Sequence, residues 1–558
     1  MEGGNIDADM EQVLLQTRDE HEDDGLIKLS FSEELRELSV LSAPVALSTL
    51  CRLLIINTDT AFVGNLGKDK LAASSFANTW NQFLSNVVYS PGYALNSLCS
   101  QAIGAKNFKL AGVWLQLALF VTSLIALPVL AGYLLTKPVV NLMVDDEARA
   151  NNIPGMAQRF NVVSMLILFP MVLYMIIRQY FQAMQIVLPA MIVSGLTVAF
   201  NYLMNYVFVP EDGIVGWGLE GSPFATFLSM LFQLGCFVFW CVTLKQYHKP
   251  YWGGFTWEFL EPTRIRRFFK MVFPMAIGIV MENSGLQLIT FSTGHIGTDN
   301  IAAHAILSSL WGILWAFYWG CGLALQVRVG SYLGKGNVHG ARLVTKISMF
   351  LVVVICTVVG IGAWALRNPI AKLFTKDGAV IAIVEDSMYA LCLDYFTACM
   401  ALCAVNLLEA MAQNRILAFA LSFGMWGVQV PCSLLFAYKV PYFADNGKQV
   451  QGIWFGQVCG EIFKIILLWG YIARLDWVKM CREAKERSEA APAVDEGDVR
   501  LEHQLEEEDI HFAEEVRQIE SNRRLNSFAS GEMADTMACG SPSPFIGTRS
   551  PKFVRHIE

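Results

Sequence analysis

Charged residues are scarce in this 558-residue sequence: they fill 16% of its positions, against roughly a quarter in a soluble protein of this size. Hydrophobic residues make up 54%, and the mean hydropathy is +0.43. The apolar residues stand in long runs, such as 117–133, 162–177 and 349–366. Because about 20 apolar residues cross the roughly 30 Å of hydrocarbon in a bilayer, each run with its flanks can form a spanning helix. The composition therefore excludes a soluble globular protein.

Several other features are missing. No series of ten-residue alternating segments indicates a membrane β-barrel, and no Walker A sequence indicates ATP hydrolysis. The thirteen cysteines show neither zinc spacing nor a disulfide framework, so we expect small buried side chains and no metal site. The eight histidines are dispersed, which argues against an intramembrane enzyme. We expect no cofactor, no catalytic residues and no nucleic-acid partner.

The apolar pattern predicts an all-α polytopic protein with twelve transmembrane helices. The predicted spans lie near 37–64, 74–103, 111–135, 158–183, 187–210 and 219–244, and then near 268–294, 302–332, 343–366, 385–411, 416–438 and 452–473.

The segments outside the spans set the orientation. Residues 1–36 form an acidic tail with no basic, apolar leader, which argues against a cleaved signal peptide. The linker 245–267 and the start of the tail 474–558 are basic, which favours the cytosolic side for both. Because the span number is even, we expect both termini on that side as well. From about 488 the chain is rich in Glu, Asp, Ser, Pro and Ala, and we expect disorder.

The sequence repeats itself at an offset of 230 residues. Gly-Asn-Leu-Gly at 64–67 is mirrored by Gly-His-Ile-Gly at 294–297, Leu-Ala-Ala at 71–73 by Ile-Ala-Ala at 301–303, and Gly-Ala-Lys-Asn at 104–107 by Gly-Lys-Gly-Asn at 334–337. Pro44 and Pro274, which we expect to open spans one and seven, have the same offset. The chain is thus two copies of one six-span lobe, 37–244 and 268–473, related by an axis along the membrane normal.

The same positions carry a resemblance to a known family. Five segments in order resemble motifs of the multidrug and toxic compound extrusion (MATE) antiporters of eukaryotic type: DTAFVGNLG at 59–67, ALNSLCSQAIGA at 94–105, RQYFQAM at 178–184, GLEGS at 218–222 and VRVGSYLG at 327–334. The resemblance covers about residues 38–473. It implies two pseudo-symmetric six-helix bundles that form a V around a central cavity.

Ionisable residues inside spans are site candidates, because burying them in hydrocarbon costs at least a few kcal/mol. Glu282 lies midway along span seven, where the resemblance implies a glutamate that couples proton entry to solute exit. The alternative is a glutamate held in a static ion pair. At the offset of 230, Arg52 is the counterpart of Glu282, so equivalent positions carry opposite charges.

Two further acids are candidates for proton coupling. Asp59 lies seven residues after Arg52, on the same face of span one, so the two can form a static pair, directly or through water. The resemblance implies a coupling role for an acid at the position of Asp59. Asp394 lies in span ten, one turn from Ala398, where the family's helix-ten acid is expected, and can replace it.

The remaining candidates line a cavity or act structurally. Polar and aromatic residues assigned to a substrate cavity are Trp80, Asn96, Asn201, Asn205, Gln287, Trp311 and Trp315. Residues assigned to structure or gating are Arg52, Gly104, Arg178 and Gly334. Helix termination and close packing of the lobes explain the two glycines equally well. The tryptophans of span eight can stack solutes or pack against lipid or another helix.

Several residues depart from the family pattern. Asn96, Asn205 and Gln287 stand where relatives carry acids, which puts a strictly cationic specificity and a sodium site in doubt. The predicted function is proton-coupled export of organic solutes, drug-like or metabolites, by a monomer in the plasma membrane or an endomembrane. The alternatives are a lipid or lipid-linked glycan flippase and, less in keeping with the sequence, an intramembrane enzyme.

Overall fold

The computed structural model describes residues 31–144, 149–293 and 296–489, and within these ranges it contains helices, turns and loops but no β-strand. Most of the predicted N-terminal tail and the C-terminal tail from residue 490 onward lie outside the described residues.

The first lobe consists of six long helices. They are α1 (Phe31–Gly64), α2 (Lys68–Gly104), α3 (Phe108–Leu134), α4 (Ile153–Ala183), α5 (Leu188–Phe208) and α6 (Gly221–Val238), which continues through a π-helical turn, Phe239–Leu244. A short helix, Thr136–Met143, precedes α4.

The second lobe repeats the same order. Its helices are α7 (Pro262–Ser292), α8 (Thr298–Gly334), α9 (Val338–Ala365), α10 (Gly378–Ala410), α11 (Asn414–Phe423, a π-helical turn Gly424–Gln429, then Val430–Tyr438) and α12 (Gln449–Ile472). Short helices Arg367–Phe374 and Pro441–Ala444 lie between them. A further helix, α13 (Trp477–Glu489), follows α12 within the segment that the sequence assigned to the tail.

Eleven of the twelve long helices in the described part of the chain are long and apolar enough to cross a membrane. The exception is α2, whose buried residues include Asn86, Asn96 and Gln101 together with several serines. Amide side chains can be accommodated at membrane depth when they bond to a neighbouring helix instead of facing lipid. The prediction of an all-α, twelve-span protein is confirmed, and the low apolarity of α2 reflects its place at the centre of the molecule.

The neighbours of each helix are the same in both lobes. In the first lobe, α2 packs against α3 and α4, α4 against α6, and α1 against α5. In the second, α8 packs against α9 and α10, α10 against α12, and α7 against α11. Between the lobes, α1 meets α8 and α7 meets α2, while α2 and α8 meet each other. The duplication read from the sequence is therefore a duplication of the packing.

The two prolines lie inside helices and do not open them. Pro44 is in the second quarter of α1 and Pro274 is in α7, both well after the first turn. Proline is tolerated there because neighbouring helices and side chains can satisfy the backbone group that it frees. Each of these helices therefore begins about a dozen residues before its proline.

The helices α2 and α8 cross with their backbones in contact. A Cβ atom on Gly104 would lie 2.1 Å from the carbonyl oxygen of Ser331, and one on Gly334 would lie 2.0 Å from that of Gln101. Both distances are far inside van der Waals contact, so only glycine fits at either position. The two contacts are equivalent in the repeat, because Gly104 corresponds to Gly334 and Gln101 to Ser331 at the offset of 230. The pseudo-twofold axis therefore passes through this crossing.

Helix termination is carried by other residues. Gly336, two positions after the last residue of α8, has a φ of +76°, and its counterpart Lys106 has a φ of 60°. This left-handed conformation is common just beyond a helix end. Of the two explanations for the paired glycines, close packing of the lobes therefore applies to Gly104 and Gly334.

An ion pair joins the lobes beside this crossing. The carboxylate of Glu34 at the start of α1 is 2% exposed and lies 2.5 Å from the guanidinium of Arg328 on α8. Tyr332 donates a hydrogen bond to the same carboxylate at 3.1 Å, and Arg328 also donates to Gln185 at 3.2 Å. The pair is thus buried, with additional hydrogen bonds to both partners.

The helix α13 bonds to both lobes at the same end. From the first lobe, Asn107 donates to the carbonyl oxygen of Ser488 at 2.7 Å, and Gln101 accepts from Arg487 at 3.2 Å. From the second, Arg267 donates to the carbonyl oxygen of Arg487 at 3.3 Å. These bonds connect the two lobes at one end, which we call the joined end.

Replacing Gly334 by alanine should destabilise the protein by roughly 1–3 kcal/mol, because the new methyl group overlaps the backbone of α2. Gly312→Ala in the same helix is the matched control, since no atom lies within 4 Å of its added Cβ. The thermal unfolding midpoint of the purified protein in detergent measures both. Equal midpoints for the two variants would contradict the backbone contact.

Candidate functional site

The carboxylate of Asp59 is held by three donors from two helices of the first lobe. Asn201 and Asn205, one turn apart on α5, donate side-chain N–H groups to Oδ1 at 3.1 and 2.8 Å. Thr226 on α6 donates its hydroxyl to Oδ2 at 2.7 Å. Both asparagines are fully buried, so they form the binding pocket of Asp59 and do not line an open cavity in this conformation.

Thr226 was not among the predicted site residues. Its hydroxyl also reaches the carbonyl oxygen of Ser222, one turn earlier, at 3.1 Å. Such back-bonding is the ordinary role of threonine in an apolar helix. No sequence signal therefore distinguished Thr226 from other span threonines.

Arg52 and Asp59 share one side of α1, yet their side chains point to different neighbours. The partners of Asp59 are on α5 and α6, whereas the guanidinium of Arg52 lies over the ring of Tyr89 on α2, 5.8 Å from its centroid. No ion pair between them occurs among the described residues. The static pair proposed from the sequence is thus not present as a direct contact.

Glu282 takes part in a second cluster, in the second lobe. Its Oε1 lies 2.8 Å from Nζ of Lys464 on α12. The same ammonium lies 2.7 Å from Oε1 of Glu461, one turn earlier. The side chains of Lys464 and Glu461 are 3% and 9% exposed, and that of Glu282 is 24% exposed. Glu282 is thus the most accessible of the three.

Asp394 belongs to the same cluster. Its Oδ2 accepts a hydrogen bond from the indole N–H of Trp311 on α8 at 2.9 Å, and it interacts electrostatically with Glu461 and Lys464. Asp394 is 2% exposed, and its Oδ1 has no hydrogen-bond partner among the described residues. The structure therefore brings two of the three predicted coupling acids together and leaves Asp59 in the other lobe.

Sequence reasoning missed Glu461 and Lys464, although a signal was present. Both fall in the predicted span 452–473, three residues apart, and charges within a span are site candidates in their own right. Opposite charges at this spacing face each other on a helix. Scoring every ionisable residue in every span would have found them.

The π-helical turn of α11 makes room for this cluster. It begins at Gly424, where an added Cβ would lie 2.8 Å from the stem of Lys464. Within the same turn, Trp426 donates its indole N–H to the carbonyl oxygen of Met281, the residue before Glu282, at 3.0 Å. Insertions of this kind are frequent at functional sites.

The charge balance of the cluster bears on its chemistry. Glu282, Asp394 and Glu461 supply three carboxyl groups, and Lys464 supplies one ammonium group. One cation neutralises one carboxylate, and an unpaired charge in a low-dielectric interior is costly. The cluster therefore holds more carboxyl groups than its one ammonium group can neutralise, and Glu282 shares that ammonium group with Glu461.

The predicted cavity residues lie in different surroundings. Trp80 donates its indole N–H to the carbonyl oxygen of Gly132 on α3 at 3.0 Å and so packs within the first lobe. Asn96 is fully buried at the α2–α8 crossing, where it donates to Gln326, its counterpart at the offset of 230, at 2.9 Å. Neither lines a cavity in this conformation, because each amide or indole group is used in helix packing.

The tryptophans of α8 all contact other parts of the protein in this conformation. All three pack against the apolar core of the second lobe, Trp311 through its bond to Asp394 and Trp315 stacked on Trp319 at 4.7 Å. Gln287 is half-buried on α7. On α4, the guanidinium of Arg178 lies over the ring of Tyr174, 5.8 Å from its centroid.

Twelve helices in two equivalent lobes, each with buried ionisable residues, define a polytopic membrane protein of the duplicated-lobe type. The MatE family model matches residues 44–207 and 274–435, one match in each lobe. The chain belongs to this family, and it is a multi-pass membrane transporter of the MATE type.

Curated relatives and solved structures agree with this assignment. The chain is 27% identical to Multidrug and toxin extrusion protein 1 of Oryctolagus cuniculus, over 82% of this chain and 78% of the relative. It is also 27% identical to the Homo sapiens protein of the same name, over 82% and 77%.

Among solved structures, the eukaryotic MATE transporter AtDTX14 superposes with a TM-score of 0.73 at 21% identity, over 82% of this chain and 99% of that one. The bent form of the Vibrio cholerae MATE transporter VcmN superposes at 0.68 with 18% identity, over 82% and 99%. These likenesses concern the fold, and the resemblance read from the sequence motifs is confirmed.

Replacing Lys464 by methionine should lower stability substantially, because removing one partner of a buried ion pair costs about 3–5 kcal/mol. Lys439→Met, at an exposed lysine after α11, is the matched control. Adding Glu461→Gln to the Lys464 variant should restore part of the loss by removing one uncompensated charge. Thermal unfolding in detergent measures all three, and a Lys464 variant as stable as the control would rule out the buried cluster.

Proposed function

We propose that the chain exports small organic solutes in exchange for protons by alternating access of a cleft between its lobes. The observation that carries the proposal is the cluster of Glu282, Asp394, Glu461 and Lys464 in the second lobe. One chain supplies both lobes, so a monomer is sufficient.

The positive charges of the linker support a topology with the joined end in the cytosol. Residues 245–267 contain five Lys and Arg residues, and such an excess is typical of cytosolic loops. The linker leads into α7, and α13 bonds to both lobes at the same end. In this topology the conformation is closed toward the cytosol, and both tails are cytosolic.

Protonation would act on the packing of α7. A proton on Glu282 removes its charge, and Lys464 then keeps Glu461 as its partner on α12. The ion pair that ties α7 to α12 is lost. Because α7 also packs against α2 of the first lobe, a change in its position is transmitted to the joined end.

The available energy is adequate for export. One pH unit supplies about 1.4 kcal/mol per proton, and 100 mV adds about 2.3 kcal/mol per charge moved. Together these correspond to a concentration ratio of several hundred for a one-to-one exchange. No ATP is required.

The test uses the full-length protein in liposomes loaded with acid and the dye pyranine. Wild-type protein should take up an aromatic solute from outside while the interior loses protons. Glu282→Gln should reduce this exchange at least tenfold, because the amide cannot carry the proton, whereas Glu37→Gln at an exposed glutamate of α1 should not.

The outcome is decided with permanently charged solutes, 2-naphthalenesulfonate and trimethyl(2-naphthylmethyl)ammonium, whose charge does not follow pH. Intact exchange in Glu282→Gln would refute the role of Glu282. Exchange of either solute driven by a sodium gradient alone would refute proton coupling.

A further inference from the structure

Two arginines stand close together between the lobes without an acid partner. Arg52 on α1 is exposed, and Arg178 on α4 is half-buried with its Nε buried and unbonded. Each guanidinium lies 5.8 Å from the centroid of a tyrosine ring, that of Tyr89 for Arg52 and that of Tyr174 for Arg178. Both interact electrostatically with the hydroxyl of Tyr93 and with each other.

The acids nearby do not neutralise them. The carboxylate of Asp59 is turned toward α5 and α6. Glu409 on α10 interacts with Tyr93 but forms no ion pair with either arginine among the described residues. Arg178 interacts electrostatically with Arg52 and with tyrosines. The local charge is therefore positive.

Several buried or half-buried basic side chains in the described part of the chain are paired with acids. Lys464 bonds to Glu282 and Glu461, Arg328 to Glu34, Arg264 to Glu258 and Glu261, and Arg487 to Glu483. Leaving two like charges side by side in a low-dielectric region is unfavourable unless an anion offsets them. An anion bound beside Arg52 and Arg178 would offset their charges.

Aromatic rings from both lobes border the pair. Tyr93 meets the edge of Trp319 on α8 at 5.9 Å, and Trp319 stacks on Trp315. Tyr93 precedes the fully buried Asn96 by three residues, so these rings lie one turn from the bond between Asn96 and Gln326. A solute here contacts both lobes at once.

We propose that Arg52 and Arg178 form the anion-binding part of the substrate site, and that the solutes carried are flat aromatic anions bearing a carboxylate, sulfonate or phosphate group. Guanidinium groups bind such oxyanions through two parallel hydrogen bonds, and the rings of Tyr93 and Trp319 provide faces for an aromatic body. The assignment deepens the proposed export function, on which it rests.

The test measures equilibrium binding to the purified full-length protein of three probes with one ring system: 2-naphthalenesulfonate, 2-naphthalenesulfonamide and trimethyl(2-naphthylmethyl)ammonium. Wild-type protein should bind the sulfonate at least tenfold more tightly than the other two. Arg52→Gln and Arg178→Gln should each weaken sulfonate binding roughly 10- to 100-fold and leave sulfonamide binding within about twofold.

Arg415→Gln, which removes an exposed charge at the start of α11, is the matched control and should change nothing. Arg52→Lys should bind the sulfonate with intermediate affinity, because it keeps the charge and loses the two-point geometry. If Arg178→Gln fails to fold, the anion site is still tested by two measurements. These are the charge preference of the wild-type protein and the binding of the probes to the Arg52 variants.

Equal or tighter binding of the ammonium probe to wild-type protein would overturn the anion site, as would an equal loss of all three probes in the Arg52 variants. The acid-loaded liposomes separate the two proposals. Proton-coupled exchange of the ammonium solute alone would overturn the anion site and uphold antiport. Sulfonate-selective binding without proton-coupled exchange would uphold the site and overturn antiport.

Discussion

The contact between the backbones of α2 and α8 is the constraint on which the rest of the structure depends. Gly104 and Gly334 each pack directly against the backbone of the opposite helix, so no side chain separates α2 from α8 at these two positions. Three further connections between the lobes accompany this contact: the bond between Asn96 and Gln326, the buried pair of Glu34 and Arg328, and α13. Closely packed interfaces of this kind favour discrete arrangements of rigid lobes over gradual deformation.

The scaffold is symmetric, but the chemistry is divided between its halves. At the offset of 230 residues, Arg52 corresponds to Glu282, and Asp59 corresponds to Ile289, which lies in an apolar cluster and is 1% exposed. The first lobe therefore carries the unpaired arginines and a carboxylate held by neutral donors, while the second carries three carboxyl groups and one ammonium group. The two lobes thus share one helix arrangement. Different residues at equivalent positions make the first lobe carry arginines where the second carries carboxyl groups.

The fold was predictable because its signals are long. A dozen apolar runs and a repeat in register over some sixty positions leave little freedom in span number or order. The site was predictable only in part. Glu282, Asp59 and Asp394 were found because a lone acid in a span is conspicuous, yet their partners Lys464, Glu461 and Thr226 come from helices distant in sequence. Asn96 was assigned to a cavity because it is polar, and only packing across the axis shows that its amide is used between lobes.

The two proposed sites can influence one another through the joined end. An anion between Arg52 and Arg178 would touch Tyr93 and Trp319, one turn from Asn96. A proton on Glu282 would act on α7, which packs against α2. Both ligands would therefore act on the same element, the crossing of α2 with the second lobe, without touching each other. Coupling requires each ligand to prefer one arrangement of that element, and a charge change in one lobe would then alter access to a site in the other.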